Sequence, residues 1–153
     1  MALAKKSKIL VILLTVAAIA LAGVTFAAIT SNLSVSSSGT VTAGPNVGVY
    51  SNSACTTAVT SISWGSIEAG GSTSQTIYVE DTGGTAMTLS ISVANWSPSA
   101  ANSYITLAWT GQGSQIQPGI SGVLAVTITL SVSSSTPTSI TSFSNSITIS
   151  GTG

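Results

Sequence analysis

Between Leu124 and Val132 every second residue is apolar (Leu124, Val126, Ile128, Leu130, Val132), and Ala125, Thr127, Thr129 and Ser131 lie between them. Side chains of an extended strand point alternately to two faces, so this spelling buries one face and wets the other. It does not write an amphipathic helix, whose apolar stripe recurs about every 3.6 residues. The same alternation returns along the chain. Ile77 and Val79 carry it within Ser74 to Glu80, and Met87, Leu89, Ile91 and Val93 carry it within Ala86 to Val93. Ile105, Leu107 and Trp109 follow within Tyr104 to Trp109, and Phe143, Ile147 and Ile149 keep it near the end. Shorter runs, Val47 to Tyr50 and Ala58 to Trp64, fit as well. Turn-forming residues punctuate the runs at Gly44-Pro45-Asn46, Glu68 to Ser72, Asp81 to Gly84 and Gln117-Pro118-Gly119. The Gly83-Gly84 pair is expected to close a hairpin between its flanking runs. About seven or eight short strands at this spacing predict an all-β fold, a single β-sandwich of jelly-roll or immunoglobulin-like kind.

The wet faces are written in hydroxyls rather than charges. From Ala28 to Gly153, 48 of 126 residues are Ser or Thr. The whole chain holds three basic and three acidic residues and no histidine. Lys5, Lys6 and Lys8 stand at the front; Glu68, Glu80 and Asp81 are the acids. A body without a cation has nothing to neutralise a phosphate backbone, so no nucleic acid is expected as a partner. Serine, threonine or cysteine nucleophiles would lack a histidine or lysine base. Glu80 and Asp81 are adjacent, so on a strand they face opposite ways and make a poor carboxylate pair for glycoside cleavage. No enzyme, cofactor or metal is expected. A calcium site on Glu80 or Asp81 competes with the preferred reading, solvated charge beside a hairpin.

Cys55 has no second cysteine to pair with inside the chain, and a small buried residue is preferred over an intermolecular bridge. Asn32-Leu33-Ser34 and Asn95-Trp96-Ser97 are sequons, which makes Asn32 and Asn95 candidate glycan acceptors, the second weakened by Pro98. Trp64 and Trp109 fall on apolar strand faces and are expected in the core, while Trp96, beside a loop, is the candidate for a surface contact. A surface this poor in charge promotes association, so the body is expected to assemble.

Residues 1–8 carry the three lysines, Ile9 to Val24 is almost wholly apolar, and small residues surround Thr25-Phe26-Ala27-Ala28. This is the pattern of a secretory signal peptide, residues 1–27, cut after Ala27. A retained membrane anchor and a type IV pilin-like leader with a helical core are the alternatives. Each places the body outside the cytoplasm, with the membrane met only in transit if the segment is removed.

The next stretch, Ala28 to Val35, puts Ile29, Leu33 and Val35 on one face, and Ser36-Ser37-Ser38-Gly39 is expected to be a flexible joint. Residues 28–39 are therefore set apart from a sandwich over 40–153. A strand of this length reaches roughly 27 Å, a whole sheet edge. It could fold back as the first strand of its own sandwich or enter a neighbour's groove by β-strand addition. On pattern alone the two are even.

The stretch Trp64-Gly65-Ser66-Ile67-Glu68-Ala69-Gly70-Gly71-Ser72, then Ile77 to Gly83, Asn95-Trp96-Ser97-Pro98 and Gln117-Pro118-Gly119, resembles archaeal secreted surface-filament subunits, the bundling pilins and threads. Those are similar in architecture to the bacterial biofilm-matrix fibre protein TasA. The resemblance spans most of residues 47–150. It implies a jelly-roll-like domain polymerised head to tail by an N-terminal donor strand, here Ala28 to Val35. Ile29, Leu33 and Val35 would enter the groove, and the product would be an extracellular homopolymer serving adhesion or biofilm, with glycans as further partners. The competing reading is a secreted or anchored immunoglobulin-like binding module.

Overall fold

The structure is a computed structural model, and it describes residues 34–153 apart from Pro45. The expected signal peptide, residues 1–27, and the first part of the expected donor segment, with Ile29, Asn32 and Leu33, lie outside the described residues.

Among the described residues nine strands follow in order: β1 (Ser34–Ala43), β2 (Val47–Tyr50), β3 (Ser61–Glu68), β4 (Ser72–Asp81), β5 (Met87–Ser97), β6 (Ile105–Trp109), β7 (Gln115–Ile116), β8 (Leu124–Val132) and β9 (Ser142–Thr152). They form two sheets, one in the order β3-β1-β9-β5-β7 and the other β2-β4-β8-β6. All neighbours are antiparallel except β1 and β9, which run parallel. The fold is an all-β sandwich, as the alternation predicts. Among the described residues no helix is long and apolar enough to cross a membrane.

The core is the set of alternate apolar positions turned between the sheets. Val126, Ile128 and Leu130 of β8 are fully buried, and so are Ile147 and Ile149 of β9. Burying a side chain of this size stabilises the fold by roughly 1.5–3 kcal/mol relative to leaving it exposed. Ile77 and Val79 of β4 meet the same core, while their neighbours Thr76, Tyr78 and Glu80 lie on the outer face with greater exposure.

Two expectations about connections are corrected. The runs on either side of Gly83-Gly84 are not a hairpin: β4 lies in one sheet and β5 in the other. The turn instead carries the chain across the sandwich, because each run finds a longer partner elsewhere, β4 on β8 and β5 on β9. Second, Ser36-Ser37-Ser38-Gly39 is no joint but the middle of β1. Its residues pair with Ser142–Asn145 of β9 on one side and with β3 on the other. Strands pair with it on both sides, and this outweighs the low strand preference of Ser and Gly.

Candidate functional site

β1 is the first strand described, yet it lies inside its sheet, between β3 and β9. Its inward positions are Val35, Ser37, Gly39 and Val41; Ser36, Ser38, Thr40 and Thr42 face out. Val35 is fully buried and sits opposite Ile67. Val41 is buried and lies beside Ile147 in the parallel register. The apolar phase expected at Val35 is therefore continued into the domain by Val41, with two small residues between.

Those two small residues shape the slot. A β-carbon on Gly39 would stand 2.7 Å from Asn145 Oδ1, closer than packed side chains come, and 3.2 Å from Ile147 Cδ1, a tight contact. Asn145 lies directly beside Gly39 in the β1–β9 pair and is 3% exposed. On the other flank the β1–β3 ladder slips between Ser37 and Ser38, because β3 holds an extra residue at Trp64-Gly65. Gly65 takes φ 71°, a left-handed backbone that glycine adopts without strain. The bulge resets the alternation, so Ile62, Trp64 and Ile67 all turn inward despite their uneven spacing.

Beneath the strand, Ser37 Oγ, Trp64 Nε1 and both Asn145 side-chain polar atoms are buried without a hydrogen-bond partner in the protein. A buried polar atom left unpaired costs about 1–3 kcal/mol. Three side chains with this burden, contributed by β1, β3 and β9, make the slot the least satisfied part of the described core. The outer surface is the reverse: Thr40 Oγ1 donates to Ser146 Oγ at 3.3 Å, and Asn95 Nδ2 donates to the same oxygen at 3.2 Å. Where the slot opens, Ser36, Ser38, Ser97, Pro98, Ser142 and Ser144 line a shallow groove of about 510 Å³, with no charged group in it.

The link from β1 to β2 is short. Gly44 donates its N–H to Ile149 O at 2.8 Å, and Asn46 takes φ 61°. That left-handed conformation is uncommon for any residue with a β-carbon, although asparagine tolerates it better than most.

The three carboxylates are dispersed. Glu68 is exposed at the end of β3. Glu80 and Asp81 face opposite ways on β4, as adjacent strand residues must. Asp81 is not the solvated charge expected of it: it is fully buried, with Oδ1 accepting the Gly83 N–H at 2.8 Å and Oδ2 unpaired. Inward is the phase of Ile77 and Val79, and Asp81 is the next residue in that series. Among the described residues no three metal-binding side chains come together.

Cys55 is half-buried in the loop between β2 and β3. Burial first, then the Glu80 carboxylate, push its thiol above the ordinary value, and the same two causes raise Tyr50. Trp96 does not form a free surface contact but packs half-buried on Phe143, ring centroids 5.8 Å apart. Trp64 is in the core, and Trp109 packs against its rim and donates from Nε1 to Gln112 Oε1 at 3.0 Å. Asn95 is exposed at a bulge of β5 with φ 55°.

The feature that the alternation missed is the polar trio under β1. Asn145 stands in the inward phase of Phe143 and Ile147, and an Asn there is the sequence mark that could have located it. No protein-family profile matches the sequence, and no curated protein is similar to it.

Proposed function

We propose that this chain is a structural subunit of an extracellular filament, in which copies are joined by a strand passed from one to the next. One observation carries the reading. β1 comes first among the described strands and yet fills an interior slot of its sheet, so any copy of the chain could supply it. An interior slot cannot stand empty in water, because Ile62, Trp64, Ile67 and Ile147 would lose their cover. A head-to-tail contact of this sort does not close on itself and so grows into a fibre.

The charge distribution supports the same reading. Each described strand except β3 and β4 lacks Asp, Glu, Lys, Arg and His, so copies approach without electrostatic opposition. The four named features of the resemblance, from Trp64-Gly65 to Gln117-Pro118-Gly119, favour secretion and a role in adhesion or biofilm. The role proposed is structural, without catalysis, and glycan at Asn95 is compatible with its exposure.

A second reading keeps one observation on its side. β1 completes the sheet within a single chain, which suits a self-contained immunoglobulin-like binding module. Negative-stain microscopy of the secreted protein separates the two: fibres are expected, and a discrete monomer at every concentration would favour the module.

A further inference from the structure

We infer that the outer face of the sheet centred on β1 and β9, with the groove where β5 leaves it, binds an uncharged polysaccharide chain. The site would serve a filament subunit and a free binding module alike, so it does not rest on the filament reading.

Every outward position of β1 from Ser36 to Thr42, and of β9 from Ser142 to Ser150, is Ser or Thr. The register sets these side chains in rows. Ser63, Ser38 and Ser144 lie side by side across β3, β1 and β9, and Ser61, Thr40 and Ser146 form the next row. Neighbouring strands stand about 4.8 Å apart, and outward residues of one strand follow at about 7 Å. The face is therefore a lattice of hydroxyls, each able both to donate and to accept. Among the described residues its one charge is Glu68, at the end of the edge strand β3.

The lattice opens into a groove. β5 follows β9 as far as Ala94, and the register then slips before Ser97, with Asn95 at φ 55° in the bulge. Ser97 and Pro98 thereby join Ser36, Ser38, Ser142 and Ser144 in lining a space of about 510 Å³. Ser37 lines it too; it is 8% exposed, and its Oγ has no partner among the described residues.

This chemistry selects its occupant. An anionic polymer would find no Lys, Arg or His among the described residues and would meet Glu68. An apolar chain would strip water from the hydroxyls and pair none of them. A second copy offers the same face, whose Ser and Thr side chains are too short to fill the groove. A neutral saccharide returns a hydroxyl for each one that it covers and can lay its C–H groups on the exposed Pro98. Each such contact replaces one to water, so a single sugar ring is held weakly. A chain running out of the groove along the rows multiplies the contacts, and an array of copies multiplies them again.

The test is binding of the secreted protein, in whatever state of assembly, to immobilised polysaccharides, followed by biolayer interferometry. Hydroxyethyl cellulose, dextran and mannan are the uncharged probes. Carboxymethyl cellulose puts carboxylates on the backbone of the first. The protein should bind at least one uncharged polymer and not carboxymethyl cellulose, and soluble oligomers of the bound polymer should compete better as they lengthen. Ser144→Arg and Ser38→Arg each fill the groove from an outward position and should weaken binding about fivefold or more. Thr106→Arg, exposed on the other sheet, should leave it unchanged. Thermal melting checks that each variant is folded. Failure to bind any uncharged polymer, equal binding to carboxymethyl cellulose, or an equal loss in Thr106→Arg overturns the inference. So does a Ser144→Arg that separates associated copies while polysaccharide binding stays as it was, since the face then meets a second copy. Fibres that bind none of the polymers overturn the inference and leave the filament reading in place; a monomer that binds does the reverse.

Discussion

Gly39 lies directly beside Asn145 in the parallel pair of β1 and β9, and a β-carbon at position 39 would come within 2.7 Å of Asn145 Oδ1. This contact joins the first described strand to the last. It also has a cost: Asn145 is buried with neither side-chain polar atom paired.

The contact predicts a coupled pair of substitutions. Gly39→Ala should destabilise the folded protein by about 1–3 kcal/mol, the usual range for overfilling a packed site. Gly39→Ala with Asn145→Ala should recover much of that loss, because the second change removes the colliding oxygen. Urea denaturation of the single and double variants gives the coupling. Additive losses would mean that the two side chains do not meet.

On β1 itself, burial should divide neighbouring positions sharply. Val35→Asp places a charge where exposure is nil, and the loss should exceed about 4 kcal/mol, enough to unfold a domain of ordinary stability. Thr40→Asp, on the outer face, should change stability by less than about 1 kcal/mol. Thermal melting followed by circular dichroism checks both. Equal effects would mean that β1 is not seated as described.

The alternation made the sandwich legible. Leu124 to Val132 is read from the sequence with the bounds the structure gives it, and Val47 to Tyr50 and the core side of β4 follow the same rule. What stayed hidden is where pairing partners override local spelling. Ser36 to Gly39 reads as a joint because nothing in it is apolar; its place between two strands makes it a strand. Gly83-Gly84 reads as a hairpin because turn chemistry does not tell a return within a sheet from a crossing between sheets. Ile67 falls outside the two-residue period of Ile62 and Trp64, and only the bulge at Gly65 brings it inward. Asp81 follows the phase of Val79 into the core, although a charge beside a turn ordinarily seeks water.

Asp81 gives a prediction of opposite sign to most core changes. One carboxylate oxygen anchors the Gly83 N–H and the other is buried unpaired. Asp81→Asn keeps an acceptor for Gly83 and removes a buried charge, so the melting temperature near neutral pH should hold or rise. Asp81→Ala loses the anchor and should cost about 1–3 kcal/mol. If Asp81→Asn is as damaging as Asp81→Ala, the charge itself is paired by something other than Gly83.

The thiol of Cys55 should alkylate with a midpoint above that of an ordinary cysteine, since burial and then Glu80 both favour the protonated form. A group raised in this way adds its stability below the ordinary thiol value and loses it as pH climbs through the raised one. Glu80→Gln should lower the midpoint only partway, burial being the larger cause. A profile of iodoacetamide reaction rate against pH checks this, and no change on Glu80→Gln would separate the two groups.

The central claim is that copies of this chain build a filament, and the most direct measurement is negative-stain microscopy of the secreted fraction with N-terminal sequencing of its subunit. The account predicts fibres whose subunit begins near Ala28, with β1 intact. A discrete monomer with the same N-terminus, or fibres whose subunit retains the apolar stretch from Ile9, would contradict it.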